Sequence, residues 1–338
     1  MNRHTFIQAA DSNYLPAGLA LYRSLLQHMS GEWRMVWVVL DESGLVAVRR
    51  WAERNADAAR YLECVDWRVV AAEVPGLPNA LLARLDAEGR RTSSWWWTWA
   101  AQVTHWQIER SPEDTAVFMD TDCYAFADLS PALAEVAAAG ADVGMLTHRF
   151  PPHRAHMAAR AHFNVGTLTT FRPTMRARMA AAAWAAMVRA RCEVEDPGDA
   201  YLGIPPGRAG DQAFMDAIGC LARVHEITDP GTGLAPYNFD AWPIANIHRE
   251  VAKPAWLYAD DERMPTYAET QQKFTTTVSV MAEDRPHPVR LAHFHESRFD
   301  QVTGAVVKRT GYPIPADVER HLLAPYEAAV AAAAAELR

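Results

Sequence analysis

Asp120 and Asp122 flank Thr121 directly after a short apolar run, Ala116 to Met119 (AVFM). Carboxylates at i and i+2 that close a buried strand can converge on one hard divalent cation. In an open α/β sheet, that carboxyl end of the strands is also where ligands bind. A pair of solvated turn aspartates is the plainer reading of the same triplet. Against it, a core strand has little reason to end on paired charges without a counter-ion.

The elements that must position this pair follow from hydrophobic spacing. Thr5 to Ala9 reads as a short strand running into the polar turn Ala10-Asp11-Ser12-Asn13. Leu15 to Met29 carries apolar residues at helical intervals (Leu15, Leu19, Tyr22, Leu25, Leu26, Met29). Met35 to Leu40 (MVWVVL) is continuous and β-branched, as a strand covered on both faces should be. Ser43 to Arg54 predicts a helix with Ser43 as N-cap, and Tyr61 to Val65 a weak strand. Helices over Asn79 to Glu88 and Ser94 to Glu109 lead to the AVFM strand. This alternation predicts a mostly parallel sheet with helices on both faces. Further on, Leu129 to Ala138 and Met175 to Arg191 read as helices, Val143 to Thr147 and Val289 to Phe294 as strands. Phe163 to Phe171 (FNVGTLTTF) is β-rich around a glycine, and Ala316 to Leu337 is a terminal helix. Loop chemistry fills Asp196 to Gly210, and Pro, Gly and Asn clusters over Asp229 to Pro243 suggest loops above a site.

Composition narrows the class. The 338 residues are 50% hydrophobic and 22% charged, an ordinary globular balance. A net charge of -8 leaves no basic excess to track a phosphate backbone, so no nucleic-acid partner is expected. The longest uncharged alanine-rich run, Met179 to Val188, is too short to span a bilayer. Asp11 interrupts the N-terminus before a signal-type apolar stretch develops. Four scattered cysteines without CxxC spacing argue against a zinc site or a disulfide framework. A cytoplasmic enzyme is the expectation. The 12 tryptophans suit a carbohydrate or nucleobase surface, although core packing accounts for most of such residues.

VFMDTDCYAFADL resembles the DxD segment of metal-dependent nucleotide-sugar glycosyltransferases of GT-A fold, particularly glycosyltransferase family 8. FIQAADSNYLPAGLALYRSL is similar to that family's first strand and uridine-binding turn, and FNVGTLTTF to its FNAG-type strand. Gly210-Asp211-Gln212 matches its DQ motif, and LAHFH resembles the strand carrying its metal-binding histidine. The matches run in order over nearly the whole chain.

The resemblance implies one GT-A-like α/β domain over residues 1–338, with a nucleotide-binding half to about residue 128. The sugar- and acceptor-binding half would follow over about 129–338. It implies a UDP-sugar donor, a hydroxyl-type acceptor of unread identity, Mn2+ or Mg2+, and retention at the anomeric carbon. Asp11 would accept from the uracil N3–H, Asn13 would contact a uracil carbonyl, and Tyr14 would stack on the base. Ala9 and Ala10 would let the backbone approach the nucleotide. Helix capping by Asp11 or Asn13 is compatible with those roles. Asp120 and Asp122 would hold the metal across Thr121, with His293 completing the set. His293 and His295 lie two apart on the predicted strand and share a face, so the spacing leaves either open. Asn164 and Gly166 would line the sugar pocket. Asp211 would hold sugar hydroxyls and Gln212 would lie near the anomeric carbon, unless Asp211 simply caps a helix.

The departures are specific. The family's HxxGxxKPW ending reads His293-Phe294-His295-Glu296-Ser297-Arg298-Phe299 here, with Arg298 the candidate phosphate cation in place of the lysine. The helix before the DxD strand, which commonly brings an arginine to the donor, offers WWWTW at 95–99. Trp95, Trp96, Trp97 and Trp99 cannot all face one way on a helix. A non-catalytic nucleotide-sugar binder would share the pocket. A sugar-1-phosphate nucleotidylyltransferase would share the sheet, but its Gly-rich, Arg-containing loop is absent from the AADSNY turn. A two-carboxylate hydrolase fits least, because i, i+2 carboxylates do not straddle a glycosidic bond.

Overall fold

Alternating strands and helices of the first third assemble into the predicted sheet. The computed structural model describes residues 3–159, 162–193, 210–251, 274–282, 284–295, 297–300, 303–308 and 310–338. Strands β1 (His4–Ala10), β2 (Trp33–Val39), β3 (Leu62–Asp66) and β4 (Thr115–Phe118) pair in parallel in the order β3-β2-β1-β4. A short strand, β5 (Cys123–Ala125), follows the Asp120–Asp122 triplet. The main sheet continues through β8 (Thr169–Phe171) and β6 (Val143–Thr147), both entered antiparallel, to β7 (Phe163–Asn164). β9 (Val224–Glu226) adds to β6 in parallel. The expected α/β architecture is therefore present, with the parallel pairs in the majority.

Period-two side-chain direction builds both faces of this sheet. Phe6, Met35, Trp37, Val39 and Val117 enter one apolar layer, with helices α1 (Leu15–His28) and α2 (Glu42–Glu53). Ile7, Val36, Val38, Ala116 and Phe118 enter the other, with the later helices over Ser93–Arg110 and Met175–Ala190. Short helices α3 (Ala56–Tyr61), α4 (Trp67–Glu73) and α5 (Leu77–Leu82) lead to α6 (Ser93–Arg110). α7 (Ser130–Ala138), α8 (Met175–Ala190) and α9 (Met215–Ile218) serve the second half.

Three smaller sheets complete the chain. β10 (Thr232–Leu234) pairs in parallel with β14 (Leu291–His293), and β14 pairs antiparallel with β5. β11 (Ile244–Val251), β12 (Phe274–Ala282) and β13 (Arg285–Pro288) form an antiparallel sheet, and β15 (Arg298–Phe299) pairs with β16 (Val306–Lys308). The terminal helix is built from Ala316–Val318, a π-helical turn at Glu319–Leu323, and α10 (Ala324–Leu337).

Several local expectations change. The cap of α2 is Asp41 and not Ser43: Asp41 Oδ1 accepts from Gly44 N at 2.7 Å, and Ser43 Oγ itself donates to Asp41. The expected helix over Asn79 to Glu88 stops at Leu82, where the chain turns back into a bridge between Leu85 and Arg91. FNVGTLTTF forms two short strands around a turn, so that Gly166 lies between them. The loop expected over 196–210 lies outside the described residues, apart from Gly210.

Candidate metal and nucleotide site

The pairing of β5 with β14 decides the site. His293 stands opposite Cys123, and Phe294 N donates to Asp122 O at 2.9 Å. Two segments far apart in sequence are thus zipped together one residue from the carboxylates. His293 Nε2 comes to 3.1 Å from Asp122 Oδ1 and 3.7 Å from Asp120 Oδ2. The His293 side chain is 4% exposed and that of Asp122 11%, whereas Asp120 is 45% exposed. Asp122 and His293 therefore form the floor, and Asp120 the open wall.

The orientation of His293 is set from its far nitrogen. Thr167 Oγ1 lies 3.2 Å from His293 Nδ1, and Asn164 Nδ2 donates both to Thr167 Oγ1 and to the Tyr237 hydroxyl. Metal-ligating imidazoles are typically oriented by such a second hydrogen bond. Nε2, in contrast, is buried close to both carboxylates yet off any hydrogen-bond axis.

Gly166 explains the closeness of the walls. Its carbonyl accepts from Asp120 N at 2.6 Å, and a Cβ there would stand 2.0 Å from Asp120 Oδ2 and 3.2 Å from His293 Cε1. Only glycine leaves that space open.

Charge balance follows the geometry. Crowding by the protein around its inner edge, although the outer edge is open, pushes the Asp120 carboxyl above the usual range; His293 opposes the shift and Asp122 adds to it. For Asp122, burial is outweighed by the neighbouring imidazole, which holds its carboxyl low. Burial likewise disfavours the His293 cation, but the two carboxylates outweigh it and raise its pKa. The two carboxylates thus favour positive charge at this position. A divalent cation there would meet the same two carboxylates, and the imidazole must be neutral to ligate it. An oriented imidazole with an unaligned buried nitrogen, two carboxylates and a glycine-cleared cradle make a donor set that could hold a divalent cation.

The first turn lies on the same edge of the sheet. Ala9 and Ala10 end β1 beside Met119, whose N–H donates to Ile7 O at 3.1 Å. Asp11 caps the Ser12–Tyr14 turn, accepting from Asn13 N at 3.1 Å and Asn13 Nδ2 at 2.7 Å. The capping role is therefore real, and it leaves acceptor sites on the carboxylate open to a ligand. Burial raises the Asp11 pKa, Asn13 opposes the shift, and Asp41 adds to it. Tyr14 is half-buried where the turn enters α1. Thr121 is buried between the two aspartates. β15, carrying Arg298, packs against the Ser12–Tyr14 turn, although the Arg298 side chain lies outside the described residues.

Asp211 lies near enough to Asp120 to feel its charge, with Gln212 next to it in the chain. They sit in the turn Gly210–Phe214, where Trp184 Nε1 donates to Asp211 O at 3.0 Å. Gly210 has φ +59, and a Cβ there would stand 2.6 Å from the Trp97 ring, so this tryptophan seats the turn. Asp211 is 6% exposed and its carboxyl is pushed up to about 8, by burial first and by Asp120 second. Among the described residues, the buried Gln212 Oε1 has no hydrogen-bond partner.

Sequence reasoning missed four contributors. Thr167 and Tyr237 support the imidazole, and nothing in their local pattern marks them as doing so. Trp97 was grouped with its packing neighbours. Arg91 precedes α6, where no spacing marks it: its guanidinium lies 4.2 Å over the Trp95 ring and donates to Leu40 O at 3.3 Å. That places a cation at the carboxyl end of β2, near enough to Asp11 to lower its pKa. The aromatic run WWWTW therefore carries an arginine on its surface.

No protein-family model and no curated protein sequence matches the chain. Solved structures do align with it. Galactosyltransferase LgtC in complex with donor and acceptor sugar analogs is 12% identical, over 97% of this chain and 95% of that one, with a TM-score of 0.49. Mouse xyloside xylosyltransferase 1, apo form, is 14% identical over 70% and 87% of the two chains, with a TM-score of 0.44. Mannosyltransferase PcManGT from Pyrobaculum calidifontis, in complex with GDP-Man and Mn2+, is 15% identical over 50% and 44%, with a TM-score of 0.32. The structures it resembles are glycosyltransferases. At these scores a likeness assigns no activity, and function is drawn from the residues of the site.

Proposed function

We propose that the chain is a metal-dependent glycosyltransferase that moves a sugar from a UDP-sugar to a hydroxyl-type acceptor. The observation that carries this is the β5–β14 register, which brings His293 onto Asp120 and Asp122 at the carboxyl edge of the sheet. These three residues would hold Mn2+ or Mg2+. A divalent ion there neutralises a diphosphate and stabilises a departing nucleoside diphosphate, a Lewis-acid effect worth several kcal/mol.

The chain's own groups do the rest. Asp11, Asn13 and Tyr14 receive the uracil, with Ala9 and Ala10 giving the nucleotide close access to the backbone. Arg91 and Arg298 supply cations to the phosphates, and Thr121 borders the ribose. Asn164 and Gly166 line the sugar pocket; Asp211 holds sugar hydroxyls and Gln212 faces the anomeric carbon. Residues to about 128 act as the nucleotide-binding half and the remainder as the sugar and acceptor half. Retention is part of this reading, and it makes positioning and leaving-group stabilisation the main sources of rate. A cytoplasmic location is also part of it, in keeping with four free cysteines. Among the described residues no helix is long and apolar enough to cross a membrane.

The test is a UDP-release assay over a panel of sugar nucleotides, with and without metal and candidate acceptors. Metal-dependent release from a UDP-sugar is expected, together with much weaker binding of GDP and ADP than of UDP. Tight binding without turnover would identify a non-catalytic binder, and comparable binding of GDP would refute the uridine assignment.

A further inference from the structure

We propose that His295 is a fourth protein ligand of the metal, so that the site is built from two carboxylates and two imidazoles. The proposal rests on the metal-binding reading above and extends it. One ligand atom each from Asp122, His293 and His295 lies within 4.8 Å of the other two. Ligands around one ion at about 2.1 Å stand about 3 Å apart when adjacent and about 4.2 Å apart when opposite, so the set completes by contracting around the ion.

The backbone makes that closure local. β14 ends at His293, and His295 lies in the turn that follows. The two rings nonetheless remain on one side, with centroids 5.3 Å apart and planes at 68°. Phe294, between them, points the other way and stacks on Tyr326 at 4.1 Å and 7°. That stack fixes the backbone from which both imidazoles project. His293 is buried, and its Nε2 is unaligned with any hydrogen-bond partner. His295 is exposed, on the solvent side of His293.

Two imidazoles change which ion the site favours. Mg2+ prefers oxygen donors and near-ideal octahedral geometry, whereas imidazole suits the later first-row ions and is accepted by Mn2+. His295 therefore acts as a selectivity residue for Mn2+ over Mg2+, beyond the three ligands needed to bind either.

The test titrates the metal-free full chain with Mn2+, following free ion by electron paramagnetic resonance, and with Mg2+ by calorimetry, without substrate. In His295→Ala the Mn2+ affinity should fall about tenfold or more while Mg2+ affinity holds, so that selectivity falls by the same factor. His295→Gln should give the same loss of selectivity, because it replaces the nitrogen donor with an amide. Unchanged Mn2+ affinity and selectivity in both variants, alongside a loss in His293→Ala, would overturn the four-ligand site and leave the three-ligand site standing. Absence of Mn2+ binding by the unaltered chain would overturn both.

Discussion

Replacing Asp211 by Asn should stabilise the substrate-free protein while disabling it. Asp211 is almost fully buried, and among the described residues it has no ion-pair partner. Its carboxyl accepts only from backbone N–H groups of its own turn. Its pKa is pushed from 3.8 to about 8, mainly by burial and then by Asp120. A carboxyl whose folded pKa is raised binds its proton more tightly in the native state than in the unfolded chain. Stability is therefore fully present below about pH 4 and is lost progressively up to about pH 8. At about 1.4 kcal/mol per unit the whole shift corresponds to about 6 kcal/mol. Water entering around the ionised group reduces this toward the roughly 1–3 kcal/mol of an unsatisfied buried polar group. Asn keeps the shape without the charge. Urea unfolding of both proteins at pH 4.5 and pH 8.5 should show the variant gaining about 1–3 kcal/mol relative to the parent between the two. UDP release should fall by about 10² or more, the scale for losing a preorganised contact to the reacting group. A parallel pH dependence in the two proteins would refute the reasoning, because it would mean that Asp211 is already ionised at no cost.

Asp122→Ala should abolish Mn2+-dependent turnover while leaving cooperative unfolding intact; full activity in the variant, or in excess chelator, contradicts the assignment. Gly166→Ala forces a Cβ to within 2.0 Å of Asp120 Oδ2, so Mn2+ affinity should fall at least about tenfold, which a free-ion titration reads. Arg91→Ala removes a cation near Asp11, and calorimetry should find UDP binding weakened about tenfold, with a shallower dependence on salt.

Much of this architecture is legible in the chain because it is local. MVWVVL reads as a doubly covered strand, and its residues do alternate between the two apolar layers. The helix from Leu15 and the strand Val143–Thr147 have the expected extent, because periodicity and burial agree there. The Asp120–Asp122 pair stood out because it ends a core strand. Its partner was harder to choose: His293 and His295 are equivalent by spacing, and only the register against Cys123 puts His293 on the floor. The supports were not legible at all. Tyr237 reaches Asn164 through a loop, and Trp97 on α6 meets Gly210 in a turn over a hundred residues later, so no spacing rule connects either pair. Arg91 was missed because cation–π packing on Trp95, and not a helical position, carries it to the site.

The central claim, that Asp120, Asp122 and His293 together hold a metal–nucleotide complex, is tested most directly by anomalous diffraction from crystals grown with UDP and Mn2+. The account predicts one manganese peak within about 2.3 Å of a carboxylate oxygen of each aspartate and of His293 Nε2, with the UDP diphosphate beside it. A manganese peak elsewhere, or UDP bound away from the carboxyl ends of β1 and β4, would contradict it.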